Sequence, residues 1–153
     1  GEVSFPGGGV EEGETPQQAA VREAVEELNI QPEQIDILGE IDYLVFERST
    51  MHCFVGRLNL DWMTIVPNEE VARIFTVPLS TLLTIQPVYY QLDSKVVPEC
   101  DFPFERLRGG ISYPFSYQKR SIPFYEQLPE NIWGMTAQFT HRFTEIINQQ
   151  TSP

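Results

Sequence analysis

Gly8-Gly9-Val10-Glu11-Glu12-Gly13-Glu14-Thr15-Pro16-Gln17-Gln18-Ala19-Ala20-Val21-Arg22-Glu23-Ala24-Val25-Glu26-Glu27-Leu28-Asn29-Ile30 is the stretch whose reading decides the fold. A glycine-rich loop runs into a segment with helical signals at both ends. Thr15 is a good N-cap, Pro16 suits the first helical position, and Gln18 completes a Thr-x-x-Gln capping box. Asn29 tolerates the left-handed conformation that closes helices. Ala20, Ala24 and Leu28, with Val21 and Val25, repeat at helical spacing and predict a packed stripe. Glu23, Glu26 and Glu27 fall at i, i+3 and i+4 on another side and are surface neighbours.

A solvated acidic face is the ordinary explanation for glutamates on a helix. Three carboxylates so close, with no lysine beside them, nevertheless repel one another unless a cation sits among them. Grouped hard oxygen donors suit Mg²⁺ or Mn²⁺ rather than zinc. Such ions are commonly shared between one or two carboxylates and the phosphate oxygens of a substrate.

The full pattern resembles the Nudix box, Gly-x5-Glu-x7-Arg-Glu-U-x-Glu-Glu-x-Gly-U, with U aliphatic. Gly8, Glu14, Arg22, Glu23, Glu26, Glu27 and Ile30 stand at the matching spacings, Ala24 takes the first aliphatic position, and Asn29 replaces the last glycine. Six fixed letters in register arise by chance at about one in ten million start points on average composition. The Asn29 departure concerns the helix exit, so little effect on chemistry is expected.

Further stretches resemble the coenzyme A pyrophosphatase branch of that family. They are the lead-in Gly1-Glu2-Val3-Ser4-Phe5-Pro6-Gly7-Gly8, then Glu70-Val71, Val77-Pro78-Leu79-Ser80 and Ile132-Trp133-Gly134-Met135-Thr136-Ala137. Each also has a plain reading, with Pro78 ending a strand and Trp133 packing in a core. The branch signature normally begins upstream of Gly1, and a Nudix domain needs at least one strand before the loop. The expectation is therefore one Nudix domain over residues 1–153, incomplete at its N-terminal side. Its fold class is α/β (α+β), a mixed sheet sandwiched between helices and lacking its N-terminal strand or strands.

The resemblance implies metal-dependent hydrolysis, by water at phosphorus, of a nucleoside diphosphate linked to another moiety. A divalent ion at such a site lowers the pKa of a bound water and offsets charge on the phosphoryl oxygens. Glu23 and Glu27, one helical turn apart, are the leading metal ligands. Glu26 is a further ligand or the general base, and the Gly8 carbonyl is an additional ligand. By resemblance Glu14 pairs with Arg22 and fixes the loop on the helix. Glu70 is the second candidate base, because other Nudix enzymes place a carboxylate in this loop, with Glu69 the weaker neighbour. A solvated loop acid is the alternative for both. For phosphate recognition, Arg48, Arg106, Arg108, Lys119 and Arg120 are the basic candidates, with Lys119-Arg120 preferred.

Composition bounds the rest. The chain has 153 residues, enough for one domain with a substantial core. Its 22 acidic residues against 10 basic ones give a formal net charge of −12. Nucleic-acid binding needs a basic face and is not expected. A polyanionic substrate is repelled at long range and needs a metal and a local basic pocket. There is no apolar run of about eighteen residues, so no membrane span is expected. No secretory leader is read, and two cysteines, Cys53 and Cys100, make neither a zinc site nor a disulfide framework. A reduced, cytoplasmic setting is expected, with Cys53 a buried free thiol. His52 and His141 are isolated and read as structural.

Along the chain, Ile35 to Phe46 and Met51 to Leu60 read as strands of a hairpin across Glu47 to Thr50. Asp61 to Glu70 reads as a loop, Val71 to Val77 as a strand and Leu79 to Leu83 as a short helix. Pro87 to Tyr125, rich in proline and aromatics, reads as one or two hairpins over the site, carrying specificity or a subunit contact. Ile132 to Gln149 reads as an amphipathic helix capped by Glu130 or Asn131, with Phe139, Phe143, Ile146 and Ile147 inward. Three functions remain open. One is a pyrophosphatase of coenzyme A or acyl-CoA, releasing adenosine 3′,5′-bisphosphate and 4′-phosphopantetheine. The others are a Nudix hydrolase of ADP-ribose or another nucleotide, and a catalytically silent nucleotide-binding module. A homodimer is compatible with each.

Overall fold

The computed structural model describes residues 2–93, 101–115 and 119–151. The first regular element is α1 (Pro16–Leu28). Both halves of its capping box form: Thr15 Oγ1 accepts from Gln18 N–H at 3.3 Å, and Gln18 Oε1 accepts from Thr15 N–H at 2.8 Å. Asn29 closes the helix in the left-handed region, with φ 50° and ψ 47°. Each cap is satisfied by residues three or four positions away, so this helix is written locally. Its packed side differs in detail from the expected stripe. Ala19 and Leu28 are buried, whereas Ala20, Val21, Ala24 and Val25 are only half-buried. Val21 and Val25 line an open cleft with Gln17, Gln18, Arg22 and Pro32.

The hairpin follows. β1 (Ile35–Val45) pairs antiparallel with β2 (Thr50–Leu58), with Tyr43 opposite His52 and Val45 opposite Thr50. Phe46 N–H donates to the Ser49 carbonyl at 2.8 Å and closes the turn. After a 3-10 turn at Trp62–Thr64 comes an irregular stretch and then α2 (Leu79–Leu82). β3 (Val88–Asp93) pairs antiparallel with β4 (Lys119–Phe124), joining the two ends of the proline-rich segment. α3 (Gly134–Thr151) ends the chain.

The class is α+β. The described strands pair only antiparallel, as two two-stranded sheets, and helices flank them: α1 contacts β2, while α3 contacts both β4 and β1. Among the described residues no helix is long and apolar enough to cross a membrane.

Two expectations need correction. Residues 71–77 form no strand, because among the described residues no partner offers them a hydrogen-bonding edge; Phe75 and Val77 instead pack their side chains on the core, and Arg73 is held by Glu130. The last helix begins at Gly134, not at Ile132. Ile132 is already committed to extended pairing, its carbonyl accepting from Tyr125 N–H at 3.0 Å. Trp133 stacks on Phe124 with centroids 5.4 Å apart, and Gly134 makes the turn into the helix at φ 61°. Glu130 therefore serves Arg73 and not the helix end.

Tyr125, Ile132 and Ala137 form the core cluster, with Val3, Phe75, Val77, Ile85 and Leu128 packed around it. Thr136 Oγ1 donates to the Val3 carbonyl at 2.9 Å and ties the lead-in segment to α3. Within the stretch Ile132 to Ala137, Ile132 and Ala137 are core, Trp133 stacks on Phe124, Gly134 turns the chain, Thr136 holds Val3, and Met135 is exposed. Phe139 is buried, while Phe143, Ile146 and Ile147 are half-buried.

Candidate active site

Loop and acidic helix form one hydrogen-bonded unit. Arg22 meets Glu14 through two bonds, Nε to Oε1 at 3.0 Å and Nη2 to Oε2 at 3.2 Å. The fork geometry of guanidinium and carboxylate permits this parallel pair. Arg22 Nη2 also donates to the Gly9 carbonyl at 2.9 Å, and Glu11 N–H donates to Glu14 Oε2 at 3.0 Å. One arginine therefore joins the helix, the glycine loop and the loop's own acid. The guanidinium beside Glu14, helped by the Glu11 amide, holds that carboxyl below its ordinary range. Glu14 and Glu23 together push the Arg22 pKa upward.

The acidic residues are positioned by the same unit. Glu23 Oε1 accepts from Arg22 Nη1 at 2.8 Å, and Glu26 Oε2 lies 3.5 Å from the same nitrogen. Glu27 Oε1 accepts from Gly7 N–H at 3.1 Å, which pins the loop to the far end of the helix turn. The Glu23 carboxylate lies against Gly8, in space that a Cβ on that residue would occupy. Glycine at this position is thus a steric requirement of the carboxylate's placement.

The cation among the carboxylates here is Arg22, which reading for lysines alone passes over. Among the described residues no three His, Cys, Asp or Glu side chains converge on a geometry that could hold a metal ion. The donor types nevertheless fit a hard divalent ion, being carboxylates and the backbone of an exposed glycine. Arg22 Nη1 occupies Oε1 of Glu23, which leaves Oε2 of that carboxylate as the donor open to an ion.

Glu70 is exposed, in a loop fastened to the end of α1. Asn68 N–H donates to the Glu27 carbonyl at 2.9 Å, and Asn68 Oδ1 accepts from Glu70 N–H at 3.0 Å. The fold therefore brings the Glu70 loop to the helix end that carries Glu27. Asn68 escaped the sequence reading; its only signal was a turn-forming residue two positions before an acid.

The basic candidates are placed elsewhere. Arg48 lies in the β1–β2 turn, Lys119 and Arg120 open β4 opposite Asp93 and Leu92, and all three are exposed. Among the described residues no ion pair joins them to Glu23, Glu26 or Glu27. Arg106 lies 3.9 Å from its neighbour Glu105, and Arg108 is exposed. Phe102, Phe104 and Phe115 pack edge to face on one another at 5.0 to 6.4 Å. Those rings are occupied by their own cluster.

His52 Nδ1 lies 2.6 Å from Glu40 Oε1, with its ring between Tyr43 and Phe54. His141 sits edge-on to Tyr89. Cys53 is half-buried and free, its thiol pushed up to about 11 by burial and by Asp42 and Glu40; Cys100 lies outside the described residues.

Comparison with known proteins places this geometry. Over 157 residues the chain is 24% identical to Nudix hydrolase 3 of Caenorhabditis elegans, covering 97% of this chain and 61% of the worm protein. It is 29% identical over 149 residues to NudL of Photorhabdus laumondii, an uncharacterized Nudix hydrolase, covering 96% and 69%. It is 37% identical over 93 residues to the peroxisomal coenzyme A diphosphatase NUDT7 of Mus musculus, covering 60% and 39%. The chain thus spans about three fifths of the length of the worm relative. The NUDIX domain model matches residues 1–100, more than half of the chain, and the chain belongs to the Nudix family.

Proposed function

We propose that this chain hydrolyses a nucleoside diphosphate linked to another moiety, the bond being the pyrophosphate of coenzyme A or an acyl-CoA. The observation that carries the chemistry is the unit of loop and helix, in which Gly7 N–H holds Glu27 and Gly8 makes room for Glu23. Similarity to the mouse coenzyme A diphosphatase supports the substrate, together with the matching stretches outside the Nudix box.

In this reading Glu23 and Glu27 hold Mg²⁺ or Mn²⁺, with Glu26 and the Gly8 carbonyl as further donors. The ion supplies charge neutralisation at the pyrophosphate and acidifies water. Arg22 and Glu14 act on the site by fixing the loop against the helix. Glu26 or Glu70 takes the proton from the attacking water, which adds to phosphorus as the bridging oxygen leaves with the other phosphate. Water is consumed, and adenosine 3′,5′-bisphosphate and 4′-phosphopantetheine are released. With a net charge of −12, recognition of the polyanion falls to local cations, for which Arg48, Lys119 and Arg120 are the proposed residues.

The test offers coenzyme A, an acyl-CoA and ADP-ribose side by side with Mg²⁺ or Mn²⁺. Adenosine 3′,5′-bisphosphate from the coenzyme A substrates alone is the expected result. Turnover of ADP-ribose alone keeps the chemistry and discards the substrate. In the same assay Glu27→Gln is expected to abolish hydrolysis while leaving the fold intact; full turnover by that variant overturns the metal assignment.

A further inference from the structure

At the last glycine of the Nudix box this chain has Asn29, and the structure shows what its side chain does there. The backbone of Asn29 is left-handed at φ 50°, the conformation a closing glycine would also take. Its side chain adds something glycine lacks: Nδ2 donates to the Val66 carbonyl at 3.0 Å, across 37 positions of sequence. Two residues further on, Asn68 N–H donates to the Glu27 carbonyl at 2.9 Å. Asn68 then turns the chain, its Oδ1 accepting from Glu70 N–H at 3.0 Å and its carbonyl from Val71 N–H at 3.3 Å. An unbroken run of hydrogen bonds therefore leads from the end of α1 to the backbone of Glu70.

We infer that Asn29 is a positioning residue, its side-chain amide fastening the loop that carries Glu70 to the helix that carries Glu23, Glu26 and Glu27. The inference rests on the hydrolase reading for its effect on rate, and on geometry alone for its effect on the loop. A carboxylate that takes a proton must be held within hydrogen-bond reach of the attacking water. Misplacement by about 1 Å costs on the order of a hundredfold in rate. A loop with the Asn68 contact but without the Asn29 contact keeps one of its two anchors, so the expected loss is smaller, about tenfold.

The experiment compares Asn29→Gly, Asn29→Asp, Glu70→Gln and the Asn29→Gly/Glu70→Gln pair, with coenzyme A and Mg²⁺. Asn29→Gly keeps the left-handed cap and removes the amide. Asn29→Asp keeps the shape but presents an acceptor to the Val66 carbonyl. Both are expected to lower kcat about tenfold with KM nearly unchanged. Amide hydrogen exchange should accelerate at Asn68, Glu70 and Val71, while the interior amides of α1 stay protected. In the Glu70→Gln background, Asn29→Gly should cost nothing further, because both changes remove one function. An equal loss in that background overturns the inference, as does a kcat or a loop exchange rate that Asn29→Gly leaves unchanged. If the unsubstituted chain turns over none of the substrates, the hydrolase reading fails by itself. Exchange at Asn68 to Val71 then decides the tether: acceleration in both variants upholds it, and no change overturns it.

Discussion

The Glu23 carboxylate rests directly on the backbone of Gly8, so that the smallest possible side chain at residue 8 would collide with it. The colliding group is the far end of a flexible glutamate and not a piece of backbone. An alanine at residue 8 therefore displaces the carboxylate and spares the fold. Gly8→Ala is expected to lower metal-dependent turnover by at least about tenfold while moving the melting temperature little. Both are read on one preparation, by product assay and thermal melt. Unimpaired turnover would show that the placement of Glu23 is immaterial.

Glu14 supplies a pH prediction whose sign follows from its partner. Arg22 holds the Glu14 carboxyl below its ordinary value, as Arg73 does for Glu130, and as Arg57 and then Asn59 do for Asp36. A carboxyl with a lowered folded-state pKa binds its proton less tightly folded than unfolded. Its contribution is present above the unfolded value and is lost as pH falls through the folded one. Urea midpoints should therefore drop as pH is taken below about 4.5, the ordinary glutamate value. The drop should be shallower in Glu14→Gln, which has no proton to take up. An identical acid limb in the variant would refute the assignment.

Cys53 offers a test by reactivity. Its thiol is pushed up to about 11, first by burial and then by Asp42 and Glu40. Only the thiolate attacks an alkylating reagent. In a Cys100→Ser background at neutral pH, Cys53 should react with iodoacetamide about a hundredfold more slowly than a free cysteine. Alkylation at the free rate in the folded protein would place the thiol in water.

The core at the start of α3 tests packing. Ala137 is wholly enclosed beside Tyr125 and Ile132. Ala137→Leu forces extra volume into filled space and should cost about 1 to 3 kcal/mol by urea unfolding. Gln138→Leu, one residue on and exposed, should stay within about 0.5 kcal/mol.

Much of the site was legible because its parts lie close in sequence. Thr15 and Gln18 cap α1 over three positions, and Glu23, Glu26 and Glu27 share a face by helical spacing. Arg22 reaches Glu14 across eight positions, within the loop and first turns. The β1–β2 hairpin was legible for the same reason, two apolar runs facing each other across a short polar turn.

What failed to be legible was decided at longer range. Residues 71–77, Val-Ala-Arg-Ile-Phe-Thr-Val, are rich in the β-branched and aromatic residues that favour strands, but a strand exists only where a second edge accepts its hydrogen bonds. Ile132 and Trp133 continue the helical pattern of α3, yet pairing of Ile132 with Tyr125 and stacking of Trp133 on Phe124 outweigh a local preference of a few tenths of a kcal/mol per residue. The sequence by itself determined the acidic helix, its caps and the family of the site, because helix propensity, capping and i, i+4 spacing act between near neighbours. The tertiary structure alone decided that Asn29 and Glu27 hold the loop of Val66 and Asn68, because those partners lie about forty residues away. Such partners are selected by how the whole chain packs, and no local preference encodes them.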